Sequence, residues 1–299
     1  MNSKKLFGYT MIIIAAVGFG SYGVWSKLMG ASFPVFYQAW VRAIIICLLM
    51  LPFMLKKGSF KRIPRRDWPQ FIPFIIFTIF TQAPLYYAYN NADLGTVQLI
   101  FYAVFVITAY IVGRFYLGEK ITKIKILAMI LAFVGLSFVF GGAILSFAPL
   151  GLLLATLNSV ASGGEMACSK KPEAKYPATQ IVFVAWVSIL VTHLPVSLLI
   201  GERWVAPAFD MSWLWLLVFS VINMSAFLLS VIGFRLVDAS IASLIGLSEI
   251  IFAVLFGALI FHEKLSWSVG IGGLVILLAA MLPDTIDIWK RKKQHVSSA

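Results

Sequence analysis

The chain has 299 residues, of which 61% are hydrophobic and only 12% are charged, and its mean hydropathy is +0.95. An average soluble domain has about 25% charged residues, so this composition excludes an ordinary soluble protein. The net charge of +12 leaves nucleic acid as a partner to consider, and the positions of the charges decide that question.

Ten apolar segments of about 20 residues follow one another along the chain, and each is long enough to cross a membrane as a helix. They are apolar on nearly every side, whereas the strands of a membrane barrel are about half as long and alternate in polarity. The sequence therefore predicts an all-α membrane protein with ten transmembrane helices. The predicted spans cover residues 6–26, 35–55, 70–90, 94–116, 126–146, 148–168, 178–200, 211–232, 240–261 and 266–284.

Lysine and arginine residues fall on alternate loops, and 20 of the 24 lie on one side of the predicted membrane. The other side carries Lys27, Arg203 and Lys264, and Arg42 lies within the second span. Because basic loops stay in the cytoplasm, we expect a multi-pass protein of the cell (inner) membrane with both termini cytoplasmic. The charge then orients the chain and contacts anionic lipid, and no nucleic-acid partner is expected.

The chain also resembles itself. Residues 8–34 align with residues 151–177 without a gap, which pairs Lys27 with Lys170. Further along, "ADLGTVQLI" resembles "VDASIASLI", and "LGEKIT" returns as "FHEKLS". The order of these matches predicts a repeat that runs through the whole chain.

Two five-helix repeats are predicted, over residues 6–146 and 148–284, followed by a basic cytoplasmic tail over 285–299. Because five is an odd number, the second repeat must enter the membrane with inverted topology. Inverted repeats are typical of secondary transporters, whose substrate site lies near the midplane between the two halves.

Each half ends in an apolar helix, a "GEK" or "HEK" turn and a last helix that contains glycine. With ten spans in two halves, this pattern resembles the drug/metabolite transporter (DMT) superfamily, and more narrowly its EamA-type members. The closest stretch is "LIGLSEIIFAVLFGALIFHEKLSWSVGIGGLVIL", and "YYAYNNADLGTVQLI" resembles the corresponding passage of the first half. The chain departs from the family at Glu249-Ile250, where members often have Glu-Pro, and at His262, where they often have glycine.

The resemblance implies an inner-membrane carrier, often an exporter of amino acids, their derivatives or amphipathic metabolites. Such a carrier works by alternating access through a central cavity. It takes a small-molecule substrate and lies in the lipid bilayer.

Charged side chains at membrane depth are costly, so they usually face a cavity or a partner. Glu249 lies near the centre of the ninth span. Its neighbours at helical spacing are small: Ala242, Gly246, Ala253 and Gly257. A face this small lets another helix approach or leaves room for a ligand. We expect Glu249 to titrate a proton or to bind a cationic group; the alternative is a structural acid bonded to a neighbouring helix.

Glu165, Asn158 and Ser162 form a polar stripe on the sixth span, and the matching face of the first span includes Tyr22. A cavity wall for an amphipathic solute uses both kinds of surface. The alternative is that Glu165 extends towards Lys170 at the interface.

Arg42 shares a helical face with Gln38, and Trp40 lies nearby. Its planar guanidinium can bind a substrate carboxylate through two hydrogen bonds. The alternative is a permanent ion pair with a carboxylate such as Glu249. Pro84 predicts a kink in the third span, as is common where helices line a cavity.

No HExxH, GxSxG or phosphate loop is present, so we predict no catalytic residue, metal or cofactor, and transport must use an ion gradient or exchange. The favoured hypothesis is a secondary transporter that exports an amino acid or amphipathic derivative, with proton coupling as an option. The alternatives are an uptake carrier or exchanger for sugars or phosphorylated sugars, a passive channel, a scramblase, a scaffold or an intramembrane enzyme. Phosphorylated substrates need several buried cations, and only Arg42 is well placed.

Overall fold

The structure is a computed structural model that describes residues 3–30, 32–56, 60–91, 94–140, 149–262 and 266–297. These residues form α-helices and one short 3-10 turn, Arg65–Asp67, and they contain no β-strand. The helices are α1 (Ser3–Gly20), α2 (Tyr22–Met29), α3 (Val35–Leu55), α4 (Trp68–Ile79), α5 (Ala83–Asn91), α6 (Leu94–Phe115), α7 (Lys123–Phe140), α8 (Pro149–Glu173), α9 (Ala178–Leu199), α10 (Met211–Leu236), α11 (Ala239–Gly246), α12 (Glu249–Phe261) and α13 (Trp267–Ser297).

Eight helical segments among the described residues are long and apolar enough to cross a membrane, and Trp267–Pro283 is a shorter apolar helix. The all-helical membrane fold is confirmed, whereas the count of ten membrane-spanning helices is not. The helix α8, which is the sixth predicted span, is not among the eight apolar segments. It is long, but it carries the polar stripe of Asn158, Ser162 and Glu165. The end of the fifth predicted span, residues 141–146, lies outside the described residues.

Contacts between loops define two ends of the bundle. At one end, which we call the basic end, Lys61 donates its backbone N–H to Gln180 Oε1 at 3.0 Å, and Lys175 Nζ pairs with Asp67 Oδ1 at 2.6 Å. At the other end, which we call the opposite end, the Glu202 carboxylate accepts hydrogen bonds from the backbone N–H groups that begin α3. The helices run alternately between these two ends.

Within the described residues, three of the predicted spans are broken. The third breaks between α4 and α5, ending two residues before Pro84, as this proline predicts. The first breaks at Ser21 and the ninth at Leu247–Ser248, and neither break contains a proline. At the first break, the Ser21 hydroxyl donates to the Gly18 carbonyl oxygen at 2.6 Å and so competes with the helical backbone. Each break leaves backbone polar groups that need a partner or a water-filled space.

The main helix contacts join the two predicted repeats to each other: α7 packs on α13, α6 on α8, α1 on α10 and α3 on α9. Glycines bring several of these helices close together. A Cβ atom added to Gly272 would lie 2.6 Å from the Gly135 carbonyl oxygen, and one added to Gly163 would lie 2.6 Å from that of Phe105. Since lipid supplies no hydrophobic drive between helices, such close backbone contact is a main source of packing energy.

Candidate functional site

A cavity of about 780 Å³ lies in the middle of the bundle and is lined by residues from both predicted repeats. This volume is typical of sites that enclose a small molecule. All three helix breaks reach its wall, through Tyr22, Gln82 and Leu247. The cavity extends towards the opposite end, where Lys27 and Phe261 line it.

Six of the eight predicted site residues line this cavity: Tyr22, Arg42, Asn158, Ser162, Glu165 and Glu249. They come from α2, α3, α8 and α12, so the fold brings together side chains that are far apart in sequence. The two carboxylates lie on different helices of the second predicted repeat, whereas Arg42 belongs to the first.

The Arg42 side chain is almost completely buried, at 1% exposure. Its Nη1 donates to the Tyr86 hydroxyl at 2.9 Å and its Nη2 donates to Gln82 Oε1, while its Nε has no hydrogen-bond partner. The Phe219 ring centre lies 4.4 Å from the guanidinium carbon. No ion pair joins Arg42 to Glu249 or Glu165, all three of which the structure describes. The expected alternative, a permanent pair with Glu249, is therefore not what the structure contains.

Glu249 is the first residue of α12, directly after the break that ends α11. The first helix approaches this break closely, because a Cβ atom on Gly20 would lie 2.7 Å from the Glu249 carbonyl oxygen and 2.9 Å from the Ala253 nitrogen. Gly246 and Gly257, also on the small-residue face, line the cavity. The two alternatives considered for this face therefore occur together: a neighbouring helix approaches it closely, and two of its glycines line the cavity.

The polar stripe on α8 faces the break between α4 and α5. Asn158 Nδ2 donates to the Thr81 carbonyl oxygen at 2.6 Å, a backbone group that the break leaves without a helical partner, and Asn158 Oδ1 has no partner. Glu165 is buried at 6% exposure beside Thr78. Lys170, the partner considered from the sequence, donates instead to Glu119 Oε1 at 2.6 Å. The structure therefore contradicts the interface pairing of Glu165.

Tyr22 lines the cavity together with Arg42, Glu165 and Glu249, and its hydroxyl has no hydrogen-bond partner. The Tyr22 ring packs edge-on against Phe219, with ring centres 4.8 Å apart. Unpartnered polar atoms from Tyr22, Arg42 and Asn158 thus line one cavity that also has an apolar, aromatic wall. The cavity therefore offers hydrogen-bonding groups, one guanidinium and two carboxyl groups beside an apolar surface.

Gln38 and Trp40 are not among the residues that line the cavity. Trp40 packs against Tyr37 and Trp204, with ring centres 5.0 and 5.1 Å away, in an aromatic cluster near the opposite end. Gln38 lies one helical turn before Arg42 and is buried at 8% exposure. Helical spacing places Gln38 on the same face as Arg42, but the cavity does not extend that far along α3.

Several cavity residues were not predicted as site residues from the sequence, namely Gln82, Trp186, Phe219 and Asn223. A signal existed for Gln82, a polar residue inside an apolar span and two positions before Pro84. Trp186 and Phe219 have no such signal, because an aromatic residue in an apolar helix gives the same hydropathy pattern whether it faces lipid or a cavity. The part of the chain that the structure describes has no group of three or more metal-ligating side chains.

Comparison with known proteins places the chain in a family. The model of the EamA-like transporter family matches it twice, over residues 6–141 and 149–282. A solved structure, described only as a crystal structure of a protein, is similar over 94% of this chain and 97% of its own, with a TM-score of 0.76 and 18% sequence identity. That likeness supports the fold alone, and no curated protein matches the chain. The chain therefore belongs to the EamA-like transporter family, within the DMT superfamily, and is a multi-pass membrane transporter.

Proposed function

We propose that this protein exports a small metabolite, an amino acid or an amphipathic derivative of one, across the cytoplasmic membrane. The two repeats, residues 6–146 and 148–284, would move around the central cavity and open it to one side at a time. Transport would be driven by a gradient, with Glu249 as the group that takes up a proton or binds the substrate amine.

The state of Arg42 carries the proposal. A guanidinium has five N–H groups, and the hydrogen bonds to Tyr86 and Gln82 use only two of them. Both of these partners are neutral, so the charge of a nearly fully buried arginine has no carboxylate beside it. Buried charges are normally paired, and a substrate carboxylate can supply the missing partner through two parallel hydrogen bonds.

Glu249 and Glu165 place two carboxyl groups on the other walls of the same cavity. An amino acid has an anionic and a cationic group close together, and these match an arginine faced by carboxylates. The apolar and aromatic surface from residues such as Phe219 suits the rest of an amphipathic molecule. Glu249 also begins a helix segment directly after a break, a position that can shift when the helix moves.

The orientation follows from the charge bias of the loops. If the basic end is cytoplasmic, the cavity in this structure faces the outside. Export would then require a second conformation in which the basic end opens and the substrate enters, before the protein returns to the conformation of this structure.

Transport by the purified protein in liposomes tests this function. The panel should include amino acids, their esters and decarboxylated analogues, sugars and phosphorylated sugars, each with and without a pH gradient. We expect flux of at least one amino acid or amphipathic derivative. Flux of sugars or phosphorylated sugars alone would favour the uptake or exchange alternative, and hydrolysis of a lipid or peptide without flux would favour an enzyme.

A further inference from the structure

The turn between α6 and α7 reaches across the basic end and holds the second repeat. In this turn, Glu119 Oε1 accepts hydrogen bonds from Lys170 Nζ at 2.6 Å and from the backbone N–H of Ala239 at 2.8 Å. Lys170 Nζ also donates to the Val237 carbonyl oxygen at 2.8 Å. One carboxylate of the first repeat is therefore tied both to α8 and to the start of α11.

A second contact strengthens the same connection. Lys125, near the start of α7, donates to Asp238 Oδ2 at 2.7 Å. Asp238 stands between Val237 and Ala239, so two side chains of the first repeat hold one turn of the second. Glu119 and Lys170 are well shielded, with side-chain exposures of 9% and 17%. Shielded ion pairs are screened less by salt than exposed ones and hold their elements more firmly.

The cavity extends towards the other end of the molecule. In the alignment of the two repeats, Lys27 corresponds to Lys170. Lys27 lines the cavity towards the opposite end, with its Nζ 4.0 Å from the centre of the Phe261 ring. Lys27 therefore lines the cavity. Lys170 is not among the cavity residues and instead binds Glu119 of the other repeat.

Glu173 lies one helical turn beyond Lys170 on α8 and is buried at 1% exposure. Neither of its carboxylate oxygens has a hydrogen-bond partner. Glu173 lines a small pocket at the basic end together with Lys4 and Arg235. A buried carboxylate without a hydrogen bond is unfavourable, and residues three apart on a helix are neighbours. Lys170 therefore has a second acceptor within reach that it does not use in this conformation.

We propose that Lys170 is the moving part of a latch at the basic end, binding Glu119 when that end is closed and Glu173 when it is open. This proposal rests on the alternating-access function proposed above. Opening separates the α6–α7 turn from α8, and Glu119 then meets the entering water. Because Lys170 exchanges one carboxylate for another, its charge stays paired in both states, which gives the helix pair two discrete arrangements.

Thiol labelling measures this latch without any substrate. Replacing Cys47 and Cys168 by alanine removes both native cysteines. Ser240→Cys then places a reporter beside Ala239, at a residue that is 1% exposed and whose hydroxyl has no hydrogen-bond partner. The full-length protein in liposomes is treated with a membrane-impermeant maleimide that has access to the basic end.

We expect Glu119→Gln to raise the labelling rate at least tenfold, because it weakens the closed state. Glu173→Gln should lower the labelling rate at least threefold, because it removes the acceptor of the open state. Glu202→Gln is the matched control: Glu202 also caps backbone N–H groups across the repeats, but at the opposite end. It should not raise labelling at the basic end.

Two results would overturn the latch: unchanged labelling in Glu119→Gln, or labelling in Glu173→Gln that rises as it does in Glu119→Gln. If Glu119→Gln does not fold, Glu119→Asp keeps the charge but shortens the side chain, and it should still raise labelling at least threefold. Unchanged labelling in that variant would equally overturn the proposal. Because no solute is involved, failure of the latch is distinguishable from failure to find a transported substrate.

Discussion

Replacing Arg42 by glutamine should abolish recognition of the substrate carboxylate and leave the bundle folded. The wild-type guanidinium has its Nε and further N–H groups available for a ligand. A hydrogen bond to a charged group contributes about 1.5 to 3 kcal/mol, so two of them give about 3 to 6 kcal/mol. Since about 1.4 kcal/mol is tenfold in affinity, the half-saturating concentration should rise about 10²-fold to 10⁴-fold.

The assay is flux into proteoliposomes of whichever carboxylate-bearing solute the wild-type protein moves, compared with its methyl ester. Loss should be confined to the carboxylate form, because the ester never makes the two charged hydrogen bonds. Arg42→Lys keeps the charge but not the planar fork, and it should recover only part of the affinity. Arg203→Gln removes an exposed arginine of the opposite end and should have no effect. If the half-saturating concentration of the acid in Arg42→Gln stays within threefold of wild type, Arg42 does not bind the substrate carboxylate.

Further predictions concern packing and charge. Gly272→Ala should lower the melting temperature by several degrees, because the added Cβ would lie 2.6 Å from the Gly135 carbonyl oxygen. The expected cost is about 1 to 3 kcal/mol. Gly270→Ala is the control: its Cβ would have no atom within 4 Å, and the variant should melt like wild type. Burial alone would raise the pKa of Asp238, but the hydrogen bond and charge of Lys125 outweigh it and hold this pKa below its usual range. A lowered pKa stabilises the fold above about pH 4 and is lost as the pH falls through the folded value. Asp238→Asn should therefore melt below wild type at pH 7, and the two melting temperatures should converge only as the pH falls through the lowered folded pKa of Asp238.

Charged residues of the site could be found from the sequence because burying a charge in a membrane is costly. Arg42, Glu165 and Glu249 stand out in apolar segments for that reason, and all three line the cavity. The aromatic wall could not be found in the same way. Trp186 and Phe219 satisfy the same hydropathy whether they face lipid or solute, so only the packing of α9 and α10 distinguishes the two cases.

Helix breaks were predictable only where covalent geometry forces them. Pro84 cannot donate a backbone hydrogen bond, so the break before it has a local cause. The breaks at Ser21 and Leu247 depend on tertiary contacts, such as the close approach of Gly20 to the Glu249 backbone. The partner of Lys170 also depends on tertiary contacts. The sequence suggested Glu165, five residues away on the same helix, but the fold brings Glu119 from the other repeat.

Proton-driven flux in Glu249→Gln measures the role proposed for this carboxylate. The solute that the wild-type protein transports is loaded into proteoliposomes, and its flux is measured with and without an imposed pH gradient. Asp210→Asn, which alters an exposed acid at the opposite end, is the matched control and should behave like wild type. We predict that the wild-type flux responds to the gradient and that Glu249→Gln loses this response. Normal flux with the full pH response in Glu249→Gln would contradict the role proposed for this carboxylate.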